Sequence, residues 1–273
     1  MAESSRSTDA SLSYAIELAS DALAATPAGL LTDFDGTVSP IVADPLLAQL
    51  VEGASGALER LADRLAVVAI ITGRAPLDAR RMAAVPGLLV VGNHGIEWLE
   101  PGADQPVASA AANAMHDRMR AALSGLPDLE GVVVEDKGVS STIHYRGAPD
   151  GDAARRRIMA AIGEPGDGIE VRHGRMSVEL RPVGLGDKGA AARALVERFG
   201  LAGVVVMGDD LTDLDMFVAV AQLREAGRVR GAIIGVGSAD HEAPAEIVAA
   251  ADVMLGDPAE AAVLLAELAD RVS

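Results

Sequence analysis

Short apolar runs alternate along much of the chain with longer, alanine-rich stretches that are typical of helices. Most of these runs contain no polar residue, which indicates strands covered on both faces, as in a parallel sheet. The strands predicted in this way are Leu30–Thr32, Leu65–Thr72, Leu88–Val91, Val204–Met207, Ala232–Val236 and Val253–Leu255. The alternation predicts an α/β fold built on a doubly wound parallel sheet.

Two helices in the second half of the chain have ends that can be read from the sequence. Asp187 stands where its side chain can cap a helix, and that helix is expected to stop at Gly200. Asp257 followed by Pro258 predicts the N-cap and first turn of the last helix, because proline is well tolerated at a helix start. Both helices fit the α/β alternation.

The chain between about Leu99 and Pro182 has a different pattern. It is predicted to contain helices at about Asn113–Leu123 and at Asp152–Ile162, and strands at Val132–Val134, Ile169–Arg172 and Arg175–Leu180. His173-Gly174 is expected to form the turn between the last two strands. Segments containing proline and glycine flank the region and could act as hinges. We therefore predict an inserted α+β domain over residues 100–182, with the core divided into residues 1–99 and 183–273.

Composition and charge narrow the classes of function. Half of the 273 residues are apolar, which is enough for a substantial core. The 23 Lys and Arg residues against 40 Asp and Glu give a formal net charge of −17, so no broad basic face is expected. This balance argues against partners such as nucleic acid or an anionic membrane. An anionic substrate would need a few cationic groups placed locally.

Cysteine usage and hydropathy bear on location. The chain has no cysteine, so neither a disulfide framework nor a thiolate metal site is expected. Its first ten residues lack the charged-then-apolar pattern of a signal peptide. Apolar runs such as Ala66–Ile71 fall far short of the roughly 18 residues of a spanning helix. A cytoplasmic location is expected, and the sequence indicates no oligomeric state.

Polar side chains directly follow three of the predicted core strands. The segments are Asp33–Thr37, Thr72–Arg74 and Gly208–Asp213. Because the carboxyl ends of parallel strands meet at one edge of a doubly wound sheet, these segments are expected to converge on a crevice. Asp33 and Asp35 would repel each other there, so a metal ion or another cation is the natural compensation.

These motifs also have simpler structural interpretations. An isolated DxDG segment is also typical of a solvated turn, and the aspartates of Gly208–Asp213 could merely cap a helix. A calcium loop fits poorly, because the glycine falls at the fourth position and Asp44 occupies the twelfth, where glutamate is expected. No complete dinucleotide fingerprint and no Walker A motif is present.

Four motifs in order resemble those of the haloacid dehalogenase (HAD) superfamily of phosphotransferases. They are DFDGT at 33–37, Thr72 in ITGR, Lys188 in GDKG, and GDDLTD at 208–213. The segments NHGIEW at 93–98, IHYR at 143–146 and VELRP at 178–182 are similar to segments of the trehalose-phosphate phosphatases within it. Leu214 stands where that family usually has glutamate. The resemblance implies a HAD-like core with an inserted cap domain.

The resemblance also implies roles for the core residues. Asp33 would be the nucleophile that forms an aspartyl-phosphate, and Asp35 the acid that protonates the leaving sugar oxygen and then activates water. Thr72 and Lys188 would bind the phosphoryl group. The expected cofactor is Mg²⁺, held by Asp33, the backbone carbonyl of Asp35, and Asp209, with Asp213 bound to it or beside it.

Recognition of a sugar phosphate is expected to involve the insert together with residues near the core motifs. The candidates are Arg74, His94, Glu135, Lys137, Ser140, His144, Arg175 and Glu179. Alternation in the last predicted strand of the insert places Ser177 and Glu179 on one face, and Val178 and Leu180 on the other. The polar face is then expected to meet sugar hydroxyls.

Three functions remain open at this point. The first is hydrolysis of trehalose 6-phosphate to trehalose and phosphate. The second is hydrolysis of another sugar phosphate, of the sucrose phosphate or mannosyl-3-phosphoglycerate type. A mutase of related fold is a separate alternative, which would require the cap to hold and reorient a bisphosphate. The third is a non-catalytic regulator that binds phosphosugars. Retention of both Asp33 and Asp35 argues against the regulator, because a binding module needs no general acid.

Overall fold

The computed structural model describes residues 2–42, 44–136, 139–164, 168–174, 176–184, 186–237 and 243–272, with side chains from residue 10 onward. The helices are α1 (Ala2–Leu23), α2 (Ala54–Ala62), α3 (Pro76–Ala83), α4 (Ala110–Leu123), α5 (Gly151–Ile162), α6 (Lys188–Phe199), α7 (Leu214–Glu225), α8 (Ala245–Ala250) and α9 (Pro258–Arg271). The strands are β1 (Ala28–Thr32), β2 (Val67–Ile71), β3 (Leu89–Gly92), β4 (Glu97–Leu99), β5 (Val107–Ala108), β6 (Val133–Asp136), β7 (Ser141–His144), β8 (Ile169–Gly174), β9 (Ser177–Pro182), β10 (Gly203–Gly208), β11 (Arg230–Val236) and β12 (Val253–Leu255). Among the described helices, none combines the length and apolar character needed to cross a membrane.

The chain forms two compact units, residues 1–106 with 187–273, and residues 107–186. The first unit continues past residue 99 to residue 106, because the segment after residue 99 packs on it. There Arg80 donates a hydrogen bond to the backbone carbonyl of Ala103. The second unit continues past residue 182 to residue 186. The backbone N–H of Val183 donates to the carbonyl of Gly168 at 2.8 Å, which keeps this segment in the second unit.

The sheet of the first unit has the strand order β12-β11-β10-β1-β2-β3-β4. All pairs from β12 to β3 are parallel, and β4 runs antiparallel to β3. The chain therefore builds outward from β1 in one direction and from β10 in the other. The point between β1 and β10 is the topological switch point, where the loops at the carboxyl ends of strands open a crevice in such folds. The predicted doubly wound α/β core is confirmed.

Strand β1 shows why these apolar runs form central strands. Leu30 and Leu31 are adjacent in sequence and both fully buried, yet they lie in different cores on opposite faces of the sheet. Leu30 belongs to the core that includes residues of α1, α2 and α9, and Leu31 to the core that includes residues of α6 and α7. Each buried leucine contributes about 1.5–3 kcal/mol relative to exposure, so a strand between two helix layers favours apolar residues throughout. The carboxyl end of β1 is thereby held firmly in place.

The second unit is an antiparallel sheet, ordered β6-β7-β9-β8, with an apolar core that includes residues of α4 and α5. The alternation predicted for its last strand is confirmed, since Val178 and Leu180 are buried in that core while Ser177 and Glu179 are half-buried. The predicted turn at His173-Gly174 is wrong. Strand β8 continues through both residues and Gly174 pairs with Ser177, so the chain reverses between those two positions.

Candidate active site

Asp33 and Asp209 lie at the switch point of the sheet. Asp33 directly follows β1, and its backbone N–H donates to the carbonyl of Met207 in β10 at 2.9 Å. Asp209 directly follows β10. The parallel pairing of the two strands thus brings together residues that are far apart in sequence, and the side chain of Asp33 is buried there.

A tight turn after Asp33 brings the first motif close to Asp209. Gly36 has a φ of 78°, and its N–H donates to the carbonyl of Ser39 at 2.7 Å. A Cβ atom at position 36 would lie 2.0 Å from the Oδ2 atom of Asp209, so a side chain there would collide with the carboxylate. Thr37 donates to the other oxygen of Asp209 at 2.9 Å. Glycine is needed at position 36 for its conformation and for this close approach.

Lys188 joins two buried carboxylates. It is the first residue of α6, which Asp187 caps by accepting a hydrogen bond from the N–H of Ala190. Its Nζ atom lies 2.9 Å from Oδ1 of Asp33 and 2.7 Å from Oδ1 of Asp213. The side chain is only 2% exposed, so the capped start of α6 places one ammonium group inside the site.

Asp213 is held by contacts that exclude the simple capping role. Its Oδ2 atom accepts the N–H groups of Asp209 at 3.0 Å and Asp210 at 3.1 Å, while Oδ1 accepts from Lys188. It precedes α7 without capping it through its side chain. Leu214, in the place where the related family usually has glutamate, packs on the apolar core of the first unit.

The site concentrates negative charge in a buried place. Oxygen atoms of Asp33, Asp209 and Asp213 all lie within 4.8 Å of one another. Burial, reinforced by the charge of Asp213, raises the pKa of Asp209 to about 7. Burial also raises the pKa of Asp33 well above its usual range, although Lys188 opposes the shift. Burial disfavours the Lys188 ammonium, but Asp33 and Asp213 outweigh it and raise its pKa.

This cluster has the chemistry of a site for a hard cation. Three carboxylates face one ammonium group, so a cluster with all of them ionised would carry a net negative charge away from water. Carboxylate oxygens are the ligands that Mg²⁺ prefers, and a divalent ion would relieve the repulsion. The donor set therefore fits such an ion.

Thr72 and Arg74 form the turn after β2. Thr72 is buried, and its hydroxyl oxygen accepts the N–H of Arg74 at 3.2 Å. The Arg74 guanidinium donates to both carboxylate oxygens of Asp35, at 2.6 and 2.5 Å, and to the carbonyl of Pro45 at 2.8 Å. It also lies 5.6 Å from the centre of the Phe34 ring. Arg74 thus reaches the first motif, and its expected contact with substrate stays a prediction.

His94 lies at the same edge of the sheet, in a short 3-10 turn after β3. Its ring is against Gly73, where a Cβ atom would lie 2.6 Å from Cε1. Two further residues of this edge, Thr37 and Asn93, were not singled out from the sequence. Thr37 directly follows Gly36, and Asn93 directly precedes His94. These adjacent positions are the sequence signal that could have identified them.

The candidates of the insert lie in the second unit. Strand register pairs Glu135 with Thr142 and Thr142 with Glu179, so these side chains share the sheet face opposite the apolar core. His144 lies on that face and contacts Glu135 through Nε2 and Oε2 at 2.9 Å. The structure therefore brings Glu135, His144 and Glu179 onto one face. Lys137 and Arg175 lie outside the described residues.

Most of the chain is similar in sequence to known proteins. A family model described as Trehalose-phosphatase matches residues 31–245. A trehalose-phosphate phosphatase of Mycobacterium avium (strain 104) is 37% identical over 280 residues, which cover 95% of this chain and 66% of that protein. An uncharacterized glycosyl hydrolase of Mycobacterium tuberculosis (strain ATCC 25618 / H37Rv) is 40% identical over 201 residues, which cover 69% of this chain and 15% of that protein.

A solved structure supports the fold. The C-terminal domain of the C. albicans trehalose-6-phosphate phosphatase aligns with a TM-score of 0.66 and 24% identity, covering 94% of this chain and 97% of that chain. The chain spans 66% of the length of the Mycobacterium avium protein. The family match covers most of the chain and contains each of the four motifs that converge at the switch point. The chain belongs to the trehalose-phosphatase family.

Proposed function

We propose that this chain is a magnesium-dependent phosphatase that hydrolyses trehalose 6-phosphate to trehalose and phosphate through an aspartyl-phosphate. The observation that carries the proposal is the buried cluster at the switch point. There Lys188 bridges Asp33 and Asp213, and Asp209 lies within reach of both carboxylates. Membership of the trehalose-phosphatase family supports the choice of substrate.

The first chemical step is assigned to Asp33. Lys188 holds Oδ1 of Asp33 and orients the carboxylate, and an oxygen of Asp33 attacks phosphorus. The bond from phosphorus to the sugar oxygen breaks as Asp35 gives that oxygen a proton. Thr72 and Lys188 donate hydrogen bonds to the phosphoryl oxygens as charge develops on them.

The second step returns the enzyme to its starting state. Asp35 takes a proton from water, the water oxygen attacks phosphorus, and the bond to Asp33 breaks to release inorganic phosphate. Arg74 holds both oxygens of Asp35 in this structure. That contact has to open before Asp35 can reach the sugar oxygen or the water.

The metal is assigned to Asp33, Asp209 and the backbone carbonyl of Asp35. When bound, Mg²⁺ would offset the repulsion between the Asp33 carboxylate and the anionic phosphoryl group. Both oxygens of Asp213 already accept hydrogen bonds, from Lys188 and from the N–H groups of Asp209 and Asp210. We therefore assign Asp213 to holding Lys188 and the Asp209 loop in place, beside the metal.

Recognition of the sugar is assigned to the polar sheet face of the second unit. Glu135, His144 and Glu179 supply carboxylates and an imidazole there, groups that pair well with hydroxyls. Among the residues that the structure describes, Glu179 forms no ion pair, so its carboxylate can accept from a ligand. A regulator without turnover is disfavoured by the retention of both Asp33 and Asp35.

Steady-state phosphate release tests the proposed reaction. The purified protein should release inorganic phosphate from trehalose 6-phosphate when Mg²⁺ is present, and chelation of the metal by EDTA should stop the reaction. Restoring excess Mg²⁺ should restore the rate. Turnover that persists unchanged in EDTA would refute the metal dependence, and absence of release with Mg²⁺ would refute the reaction.

Replacing Glu179 by Gln should weaken sugar recognition selectively. The change keeps the size but removes the charge, and a lost charge-assisted hydrogen bond costs about 1.5–3 kcal/mol, or roughly ten- to a hundredfold in kcat/KM. Activity on para-nitrophenyl phosphate, which carries no sugar, should change far less. Glu164→Gln, at an exposed position beyond the end of α5, is the matched control. Equal losses on both substrates would place Glu179 in a structural role.

The raised pKa of Asp209 predicts that stabilisation by Mg²⁺ grows with pH. In the folded, metal-free protein the Asp209 carboxyl keeps its proton until the pH nears its pKa of about 7, whereas in the unfolded chain it loses the proton near its ordinary pKa of 3.8. The unfolding free energy of the metal-free protein should therefore fall as the pH rises between these two values. Mg²⁺ must displace this proton at low pH. We expect a larger increase in Tm at about pH 8 than at about pH 5.5. At a hundredfold excess of Mg²⁺ over Kd, the gain in unfolding free energy should approach about 2.7 kcal/mol.

The control for this experiment is Asp209→Asn, which should lose most of the Mg²⁺-dependent increase in Tm at both pH values. Sodium chloride at equal ionic strength separates general screening from specific binding. An increase that is equal at both pH values would contradict the prediction.

A further inference from the structure

Two consecutive residues after β3 adopt a left-handed backbone conformation that residues other than glycine rarely use. Asn93 has a φ of 49° and His94 a φ of 57°. Asparagine and histidine adopt this region more often than most other residues do, yet it is uncommon for either of them, and two such residues in succession form a distinctive turn. Such conformations persist where surrounding contacts hold them, and they concentrate at functional sites. The turn Asn93–Gly95, called the brace turn below, has such contacts on two sides.

One side of the brace turn holds the Thr72–Arg74 segment. The N–H of Asn93 donates to the carbonyl of Arg74, and the N–H of His94 donates to the carbonyl of Thr72, both at 2.9 Å. The His94 ring closes the remaining gap, because a Cβ atom at Gly73 would lie 2.6 Å from Cε1 and 2.7 Å from Nε2. Backbone and ring together fix the position of the segment that carries the Thr72 hydroxyl.

The other side of the brace turn meets the start of α6. Gly95 has a φ of 108°, and a Cβ atom there would lie 2.5 Å from the backbone oxygen of Asp187. Asp187 directly precedes Lys188 and caps its helix. The brace turn thus contacts both the segment that carries Thr72 and the residue that precedes Lys188.

The brace turn is itself anchored in the fold. The side-chain amide of Asn93 donates a hydrogen bond to the carboxylate of Glu97 in the antiparallel strand β4. Both side chains are buried. This contact connects the brace turn to the edge of the sheet and supports its left-handed conformation.

We propose that the brace turn is a positioning element that sets the spacing between Thr72 and Lys188, with His94 acting by packing on Gly73. The proposal rests on the proposed function, because Thr72 and Lys188 matter only as groups that bind a phosphoryl group. It departs from the expectation that His94 contacts the sugar phosphate. A packing role affects every phosphate ester alike, whereas a contact with the sugar affects only sugar phosphates.

The test is a double-mutant cycle between Gly73→Ala and His94→Ala, measured on trehalose 6-phosphate and on para-nitrophenyl phosphate. Gly73→Ala places a methyl group against the His94 ring and should lower kcat/KM ten- to a hundredfold on both substrates, as a displacement of about 1 Å would. His94→Ala should lower it by a similar factor on both. The double variant should match His94→Ala, because removing the ring makes room for the methyl group.

The proposal would be overturned if the loss of kcat/KM in the double variant equals the product of the losses in the two single variants. A loss with His94→Ala on the sugar phosphate alone would also overturn it. Thermal unfolding of each variant establishes that the fold is intact. If Gly73→Ala does not fold, the ratio of the two substrate activities for His94→Ala still decides. A similar loss on both substrates supports the packing role, and either a changed ratio or no loss on either substrate contradicts it.

A second readout separates failure of this proposal from failure of the proposed function. Stabilisation of the wild-type protein by inorganic phosphate with Mg²⁺ is measured as an increase in Tm, which requires no turnover. The increase should shrink in His94→Ala even if trehalose 6-phosphate proves not to be the substrate. An increase in His94→Ala as large as in the wild type would overturn the proposal.

Discussion

Replacing Asp33 by Asn should reduce phosphate release from trehalose 6-phosphate by at least about a thousandfold, as expected when a covalent nucleophile is removed. An amide cannot form the aspartyl-phosphate, and it is a poorer ligand for Mg²⁺. The variant should still fold, because Lys188 keeps its 2.7 Å contact with Asp213. The measurement is phosphate release at saturating Mg²⁺, beside thermal unfolding.

The control for this variant is Asp35→Asn, which keeps the proposed nucleophile and removes the proposed acid and base. With radiolabelled substrate and an acid quench, Asp35→Asn should retain label on the protein, because hydrolysis of the aspartyl-phosphate is slowed. Asp33→Asn should retain none. Turnover by Asp33→Asn within tenfold of the wild type would remove Asp33 from the role of nucleophile.

Replacing Lys188 by Met should destabilise the metal-free protein and stop catalysis together. The side chain is 2% exposed and contacts Asp33 and Asp213, so its loss leaves two buried carboxylates without their cation. Removing one partner of a buried ion pair typically costs 3–5 kcal/mol of unfolding free energy, and we expect about that loss in urea unfolding at neutral pH. The kcat/KM value should fall on every substrate, because the variant loses the ammonium group that we propose binds the phosphoryl oxygens.

The matched control is Arg198→Met, which breaks an exposed ion pair. Arg198 contacts Glu100 at 2.6 Å with side-chain exposures of 47% and 40%, and such pairs contribute at most about 1 kcal/mol. Adding Asp213→Asn to Lys188→Met should recover part of the stability without recovering activity, since one uncompensated carboxylate is gone. A Lys188→Met protein as stable as the wild type in the absence of metal would contradict the electrostatic account of the site.

The core of the fold and its motifs could be predicted because they depend on local patterns. Strands covered on both faces require unbroken apolar runs, and Leu30 and Leu31 satisfy that requirement on opposite faces of β1. Because parallel strands place their carboxyl ends at one edge, the proximity of Asp33 and Asp209 followed from the strand assignment alone. The helix ends at Asp187 and Gly200 were likewise predicted and are confirmed.

The second unit was harder to predict because its strands are short and polar. Strand β7, Ser141–His144, lies inside the sheet and was not predicted, because Ser141 and Thr142 do not follow the apolar pattern of a buried strand. Their burial depends on neighbouring strands that are distant in sequence. The hairpin turn was misplaced because glycine was taken as the turn residue, whereas Gly174 pairs within the ladder.

Long-range side-chain contacts in the site could not be inferred from spacing. The two hydrogen bonds from the Arg74 guanidinium to the Asp35 carboxylate connect the segments that follow β1 and β2. The brace turn connects the segments that follow β2 and β3 to the start of α6. Each contact depends on distances across the sheet that no local pattern encodes. The motifs identified which residues meet, and the geometry showed how they hold one another.

The most direct test of the proposed activity is a comparison of kcat/KM for phosphate release, with Mg²⁺, over a panel of phosphate esters. The panel contains trehalose 6-phosphate, sucrose 6-phosphate, mannosyl-3-phosphoglycerate, glucose 6-phosphate and para-nitrophenyl phosphate. The account predicts the highest value for trehalose 6-phosphate, by at least about tenfold over any other member, because hydroxyl-binding groups discriminate between sugars. A higher value for another sugar phosphate, or no release from trehalose 6-phosphate, would contradict it.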